Sequence, residues 1–190
     1  MNGKEIEIKL LLEEVDYSRL IFFLSEVASS TSQKHQVDVY YSPTSGSFYN
    51  SGDRCLRVRI EGSKAILSYK RIYNENTSKQ FIEEHETFVD NFDVIDHILK
   101  GLSFQQEIVV DKFRIEYWVK KDFLVSLDKV ENLGYFIEIE NRNESDNLER
   151  RNHDLYEFVE QLQLDISRRN TEGYSNMLFK KRHLQGDNEQ

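Results

Sequence analysis

The sequence predicts an α+β fold: a closed eight-stranded antiparallel β-barrel with helices packed outside it. Three observations carry that expectation. About eight segments alternate polar and apolar residues with a period of two, the spacing of a strand with one buried face. Nearly all of them follow one another through short turns, as antiparallel neighbours do, and closing such a set removes its edges. Helical segments are too few to separate the strands of a doubly wound parallel sheet.

The first strand covers Lys4 to Leu12, with Glu5, Glu7 and Lys9 on one side and Ile6, Ile8 and Leu10 on the other. Val15 to Val27 reads as a helix, with Asp16 as its cap and Leu20, Phe23, Leu24 and Val27 as its apolar stripe. Residues 29 to 35 read as a polar connection, and Gln36 to Tyr41 as the second strand. Pro43 to Asp53 holds the only proline among Ser, Gly and Asn, and reads as a surface loop. Leu56 to Ile60 and Ala65 to Lys70 flank Glu61-Gly62-Ser63-Lys64 as a hairpin. A polar loop at Tyr73 to Ser78 leads to a strand near Phe81 to Val89, then to a short helix over 92–100 that Gly101 terminates. Gln106 to Trp118 and Phe123 to Val130 pair across Lys120-Lys121-Asp122, and Tyr135 to Asn141 completes the strands. Leu148 to Leu162 reads as a helix with Leu155, Phe158, Val159 and Leu162 on one side, followed by a short helix around Tyr174 to Phe179. Residues 1–180 are expected to form one domain, and 181–190 a flexible polar tail.

A chain of 190 residues has room for one substantial domain, and 12 Phe, 10 Tyr and one Trp supply material for a core. The formal net charge of -9 argues against a generic binder of nucleic acid or of anionic membrane, while leaving room for a local basic cluster. One cysteine, Cys55, excludes an internal disulfide and every cysteine-rich metal pattern. No apolar run approaches membrane-spanning length, and Lys4-Glu5-Ile6-Glu7 stands where a signal peptide needs an apolar stretch, so the expected location is cytoplasmic.

The charges of the strands are regular. Glu5, Glu7 and Lys9 share a face; so do Arg57 and Arg59, Glu84 and Glu86, Lys112 and Arg114, and Glu138 and Glu140. The residues between them are mostly apolar: Ile6 and Ile8, Val58, Phe113, Ile137 and Ile139. One such strand is well explained by a solvated outer face. The whole set is better explained by a barrel whose lumen holds the charges, because a solvated face normally mixes in Ser, Thr, Asn and Gln. Such a lumen must be wet, internally paired and completed by ligands. Arg and Lys match phosphate oxygens, and carboxylates face phosphates only across a cation, for which oxygen-ligated Mg²⁺ or Mn²⁺ is suited. The mixture fits a metal-polyphosphate. His35, His85, His97, His153 and His183 are scattered without a zinc spacing, and His85, opposite in face to Glu84 and Glu86, is expected to be structural.

Glu5-Ile6-Glu7-Ile8-Lys9 resembles the ExExK signature of the CYTH superfamily, the triphosphate tunnel metalloenzymes, whose members include class IV adenylyl cyclases, thiamine triphosphatases and inorganic triphosphatases. Gln36-Val37-Asp38-Val39-Tyr40-Tyr41 is similar to the second strand of the cyclase-like branch, and Leu56-Arg57-Val58-Arg59 to the next. Lys70, the pair Glu84 and Glu86, Lys112-Phe113-Arg114, Leu127-Asp128, the run Leu133 to Glu140 and the tail Tyr174 to Leu178 continue the pattern in order. The resemblance spans roughly residues 4 to 179 and implies an eight-stranded triphosphate tunnel. Two places depart from it. Ile82 stands where the family often has an Arg, and Lys70-Arg71-Ile72 where the cyclase-like pattern often runs into Gly-Pro.

The resemblance implies roles for these residues. Glu5, Glu7 and Glu138 are candidate metal ligands, with Glu140 and Asp128 serving a second ion or orienting a nucleophile. Arg57, Arg59, Lys70, Lys112 and Arg114 are candidate phosphate clamps. Lys9 contacts phosphate or tunes the acidic pair, and Glu84 and Glu86 bind metal or balance the clamps. Tyr40 and Tyr117 border a base or pack in the barrel. The implied reaction is a class IV-type cyclisation of ATP to cyclic AMP and pyrophosphate with Mg²⁺ or Mn²⁺. The alternatives are hydrolysis of tripolyphosphate, thiamine triphosphate or a nucleoside triphosphate, and a polyphosphate-binding module without turnover. The resemblance is compatible with a homodimer, for which the residue pattern locates no interface.

Overall fold

The computed structural model describes residues 6–74, 80–143, 145 and 147–186; for residues 73, 74, 80–82, 185 and 186 it describes the backbone alone. Glu5, most of the expected loop at Tyr73 to Ser78, the side chain of Ile82 and the last four residues of the expected tail therefore lie outside the described residues. The chain is α+β, with eight strands in one antiparallel sheet of order β1-β8-β7-β6-β2-β3-β4-β5. The strands are β1 (Ile6–Leu12), β2 (Ser30–Pro43), β3 (Arg54–Glu61), β4 (Lys64–Asn74), β5 (Gln80–Val89), β6 (Phe104–Val119), β7 (Phe123–Val130) and β8 (Gly134–Asn141). The helices are α1 (Glu14–Val27), α2 (Phe48–Ser51), α3 (Phe92–Gly101), α4 (Leu148–Gln161) and α5 (Tyr174–Gly186). The chain divides into two compact units, one of Met1–Lys34 and Lys112–Glu172, the other of His35–Asp111 and Gly173–Gln190.

In the first unit the apolar positions of the alternating strands meet helices. Ile6, Ile8, Leu10 and Leu12 of β1 pack with Ile137 and Ile139 of β8, Val125 and Leu127 of β7, Leu20 and Leu24 of α1, and Leu155, Phe158 and Val159 of α4. Each such side chain taken fully out of water stabilises the unit by roughly 1.5–3 kcal/mol. Since side chains alternate along a strand, burying these forces Glu7, Lys9, Glu138 and Glu140 onto the other face. The second unit repeats the logic with one helix. Val39 and Tyr41 of β2, Val58 of β3 and Ala65 of β4 pack against Leu99 of α3, leaving Asp38, Tyr40, Arg57, Arg59, Ser68 and Lys70 on the opposite face.

The hairpin expected at Glu61-Gly62-Ser63-Lys64 forms with Glu61 opposite Lys64. Gly62 opens its two-residue turn at φ +60°, a conformation that glycine adopts without steric cost. The hairpin across Lys120-Lys121-Asp122 forms as well, with Val119 opposite Phe123.

Several expectations need correcting. Among the described residues the sheet has two ends, β1 and β5, so it is an open hydrogen-bonded order and not the closed barrel expected. The free side of β1 is occupied locally: Leu10 bridges Arg169, and Asn170 donates its N–H to the Lys9 carbonyl at 2.8 Å. The second strand begins at Ser30, because the stretch read as a connection pairs its polar side chains with β6: Ser32 donates to Glu116 at 3.1 Å and Lys34 lies 2.9 Å from the same carboxylate. Asp16 lies inside α1; its N-cap is Glu13, which makes no side-chain cap bond. The loop after Pro43 contains α2, capped by the Ser47 hydroxyl accepting from the Tyr49 N–H. Phe113 is exposed, and Tyr117 packs in the helix-side core. The last helix runs on to Gly186. No helix among the described residues is long and apolar enough to cross a membrane.

Candidate functional site

In the first unit β1, β8, β7 and β6 pair in that order, and their registers align the predicted residues in rungs. Glu7 stands opposite Glu140 and Lys9 opposite Glu138. Glu138 in turn faces Ser126, and Asp128 faces Arg114. The Arg114 guanidinium is saturated on one side. Its Nε donates to Asp128 Oδ1 at 2.7 Å, and its Nη2 donates to Asp128 Oδ2 and to Glu138 Oε2, each at 2.5 Å. Lys112 Nζ lies 4.0 Å from Asp128 Oδ2 and Lys9 Nζ 3.9 Å from Glu138 Oε1. Asp128 is fully buried, an environment in which a carboxylate ionises only when compensated, and here two cations surround it.

Glu7 and Glu140 oppose each other as two like charges on adjacent strands, an unfavourable arrangement unless a cation joins it. Arg142 supplies one, 2.8 Å from Glu140. In donor chemistry the acids suit a hard divalent ion, which takes carboxylate oxygens. Among the described residues no three His, Cys, Asp or Glu lie close enough together to enclose an ion, and Glu5 falls outside those residues. The described carboxylates suit a divalent metal in donor type, while Glu7, Glu138 and Glu140 do not by themselves form an enclosing cluster.

In the second unit the register continues the pattern with opposite emphasis. Asp38 faces Arg59 and Tyr40 faces Arg57 across β2 and β3. Arg57 faces Ser68 and Cys55 faces Lys70 across β3 and β4, while Ser68 and Lys70 face Glu86 and Glu84 of β5. Arg59 donates to Asp38 from Nε at 2.6 Å and Nη2 at 2.8 Å, a two-pronged pair on a carboxylate that is 2% exposed. Arg57 is held more loosely: Nη2 reaches Ser68 Oγ at 3.3 Å and Glu86 Oε1 at 3.5 Å, Nη1 lies 4.0 Å from Asp38, and the buried Nε makes no hydrogen bond among the described residues. A buried guanidinium nitrogen without an acceptor favours an incoming oxygen ligand. Lys70 pairs with Glu84 at 3.2 Å on the exposed side of the row. His85 lies on the other face and contacts Glu83 at 2.8 Å.

Burial, with the Asp38 charge adding to it, pushes the Tyr40 hydroxyl up to about 12, and Arg57 acts in the opposing direction. Burial also raises the Cys55 thiol, against the pull of Arg57 and Lys70. Glu116 is lowered although burial works against it, because Lys34 and Ser32 bind its charged form.

The sequence-derived set thus gathers in two groups: Glu7, Lys9, Lys112, Arg114, Asp128, Glu138 and Glu140 in the first unit, and Arg57, Arg59, Lys70, Glu84 and Glu86 in the second. Four participants escaped the sequence reading: Asp38, Ser68, Lys34 and Glu116. Parity would have found three of them, since Asp38 alternates with Tyr40, Ser68 with Lys70, and Glu116 with Arg114. Lys34 had no such signal, because both faces of the start of β2 are polar.

Comparison with known proteins places the chain in a family. The CYTH domain pattern matches residues 3–184. A Methanocaldococcus jannaschii protein named "Putative adenylate cyclase MJ0240" is 30% identical over 137 residues, covering 72% of this chain and 75% of that one. The structure of the PH1012 protein of Pyrococcus horikoshii superposes with a TM-score of 0.66 at 26% identity, over 90% of this chain and 96% of the other. A Hippeastrum protein, HpAC1, described as an adenylyl cyclase candidate that reveals a dominant triphosphatase activity, shares the fold with a TM-score of 0.66 at 21% identity, over 93% and 95%.

Proposed function

The chain belongs to the CYTH domain family, and from that premise we propose that it is a divalent-metal-dependent enzyme acting on a triphosphate, with conversion of ATP to cyclic AMP and pyrophosphate as its reaction. The observation that carries this reading is Arg57, a partly buried guanidinium with an unpaired Nε in a row with Arg59 and Lys70. Such a row suits phosphate oxygens, which accept from Arg along two parallel bonds. Within the first unit, Lys112 and Arg114 are candidate phosphate clamps of the same kind. Glu7, Glu138 and Glu140 would hold Mg²⁺ or Mn²⁺, joined by Glu5. A bound ion would supply positive charge, which is needed most as charge moves onto the leaving oxygens.

Each residue has a separable task in this reading. Asp38 aims Arg59, and Asp128 aims Arg114, so that neither guanidinium must be ordered when substrate arrives. Asp128, counted among the metal ligands on sequence, is committed to Arg114 and Lys112, and serves a second ion only by loosening that pair. Lys9, near Glu138, keeps the acidic rung from repelling phosphate. For cyclisation the 3'-hydroxyl attacks the α-phosphorus and pyrophosphate leaves; for hydrolysis water attacks the terminal phosphorus.

Hydrolysis is the second reading, favoured by the activity described for the Hippeastrum protein of the same fold. Incubation of the purified protein with Mg²⁺ or Mn²⁺ and, separately, ATP, thiamine triphosphate and tripolyphosphate, with separation of products, tests both. Cyclic AMP with pyrophosphate supports the first, orthophosphate without a cyclic product the second, and binding without turnover leaves a polyphosphate-binding module.

A further inference from the structure

The row of clamps in the second unit ends on one side in acceptors that the roles given above do not use. Along β3, Arg57, Arg59 and Glu61 share a face in steps of two residues, each roughly 6–7 Å, and Lys70 faces Cys55 at the opposite end. Gln36 stands across from Glu61 on β2, one step beyond the Asp38 that holds Arg59. Gln36 is 3% exposed, and its amide nitrogen donates to Glu61 Oε2 at 2.7 Å. Because an ionised carboxylate only accepts, this bond fixes which way the amide points. The amide oxygen is left buried, with no donor among the described residues. A buried acceptor in that state calls for an incoming O–H or N–H. Glu61 beside it is half-buried and forms no ion pair among the described residues, although Lys64 faces it across the turn.

We propose that Gln36 and Glu61 form the nucleophile end of the site. They accept the two O–H groups of a water that attacks the terminal phosphorus of a triphosphate held at Arg59, and Glu61 takes the proton. The inference rests on the triphosphate reading and concerns its hydrolytic branch, for which that reading names no base. The polarity of the row supports it. In an in-line displacement negative charge gathers on the leaving oxygens, and Arg57 and Lys70 lie on that side of Arg59. The attacking oxygen needs acceptors, and these lie on the other side. The charge of Glu61 also ends the phosphate chain at Arg59, since a further phosphate would face a carboxylate. Spacing agrees as well. A poised nucleophile sits about 3–3.5 Å from phosphorus and about 2.6–3.2 Å from its base, together close to one two-residue step along β3. The bonds balance. The water oxygen bonds to phosphorus as the bond from phosphorus to the bridging oxygen breaks, and that electron pair leaves with the bridging oxygen on the departing diphosphate. The water proton passes to Glu61 and then to solvent, and orthophosphate is the product.

The test follows orthophosphate release from tripolyphosphate, ATP and thiamine triphosphate by the full chain with Mg²⁺ or Mn²⁺. Glu61→Gln keeps an oxygen for the Gln36 amide to bond, so it preserves the local fold while removing the proton acceptor. Its kcat should fall about a hundredfold with KM within about twofold of native. Gln36→Met, similar in length and without an acceptor, should lower kcat about tenfold, the scale of one lost hydrogen bond. Formate should restore the rate of Glu61→Ala severalfold and leave the native rate unaltered, an effect that a structural role for the carboxylate does not produce. Lys64→Met, which removes the cation facing Glu61, should leave kcat within about twofold of native. The inference falls and the triphosphate reading stands if Glu61→Gln keeps its rate, if formate fails to rescue Glu61→Ala, or if Lys64→Met slows release as much as Glu61→Gln. The same holds if ATP yields cyclic AMP and no compound yields orthophosphate. If no compound is turned over or bound, both fall.

Discussion

Asp38 holds Arg59 by two hydrogen bonds and lies within 4.0 Å of Arg57, so one buried carboxylate supports two cations. Replacing it by alanine leaves those cations facing each other without their acceptor. The cost of breaking such a pair from one side is on the order of 3 kcal/mol, to be read from urea denaturation. A loss below about 1 kcal/mol would mean that water replaces the carboxylate easily. Asp96 offers a contrasting case. Burial opposes its ionisation, yet Lys100, Gln106 and Tyr41 all donate to it and hold its carboxyl below the usual value of 3.8. A folded value below the unfolded one means that the ionised group's contribution is complete above pH 4 or so and is lost as pH falls through the folded value. Asp96→Asn should therefore be clearly less stable than the native chain at pH 7 and differ from it less at pH 3.

Among the elements, the hairpin joining β6 to β7 turns through Lys120 at φ +53° and Lys121 at φ +66°, a region that costs a side chain roughly 1–2 kcal/mol. Lys120 is anchored, donating to Gln161 at 2.6 Å. Lys121 is exposed, and Lys121→Gly should raise stability by a few tenths to about 1 kcal/mol in thermal or urea unfolding. Legibility differed among such elements for physical reasons. The strand read as Phe123 to Val130 is β7 to the residue, because both its ends are turns and its apolar side chains face a helix-covered core. The first six residues of β2 read as a connection because their side chains answer charges on a neighbouring strand, and pairing of that kind leaves no hydrophobic period. The helix α2 is four residues long, too short for any periodic signal.

At the level of the whole molecule, the candidate site was legible wherever charge alternated with burial and illegible where a residue's value lay in its partner. Arg57 and Arg59 are adjacent in alternation, yet one is saturated and the other is not, a difference set by Asp38 on another strand. Ligand linkage tests the row of Arg57, Arg59 and Lys70. Tripolyphosphate at a hundredfold excess over its dissociation constant should stabilise the chain by about 2.7 kcal/mol, or roughly 5–10 °C in melting temperature. Arg57→Met should abolish most of that shift while leaving the unliganded melting temperature nearly unchanged, because the row then loses its unpaired donor.

The short contact between the segment after α4 and β1 bears on solution behaviour. A strand at the end of a sheet offers its backbone groups as a template for a strand of another molecule, the route to ordered aggregates. Here Asn170 and Arg169 occupy part of that template. Asn170→Pro removes the N–H that donates to Lys9, and the variant should scatter light in a concentration-dependent manner under conditions in which the native protein stays clear. The stretch that follows the helix thus covers backbone groups of β1 that an end strand otherwise offers to another chain.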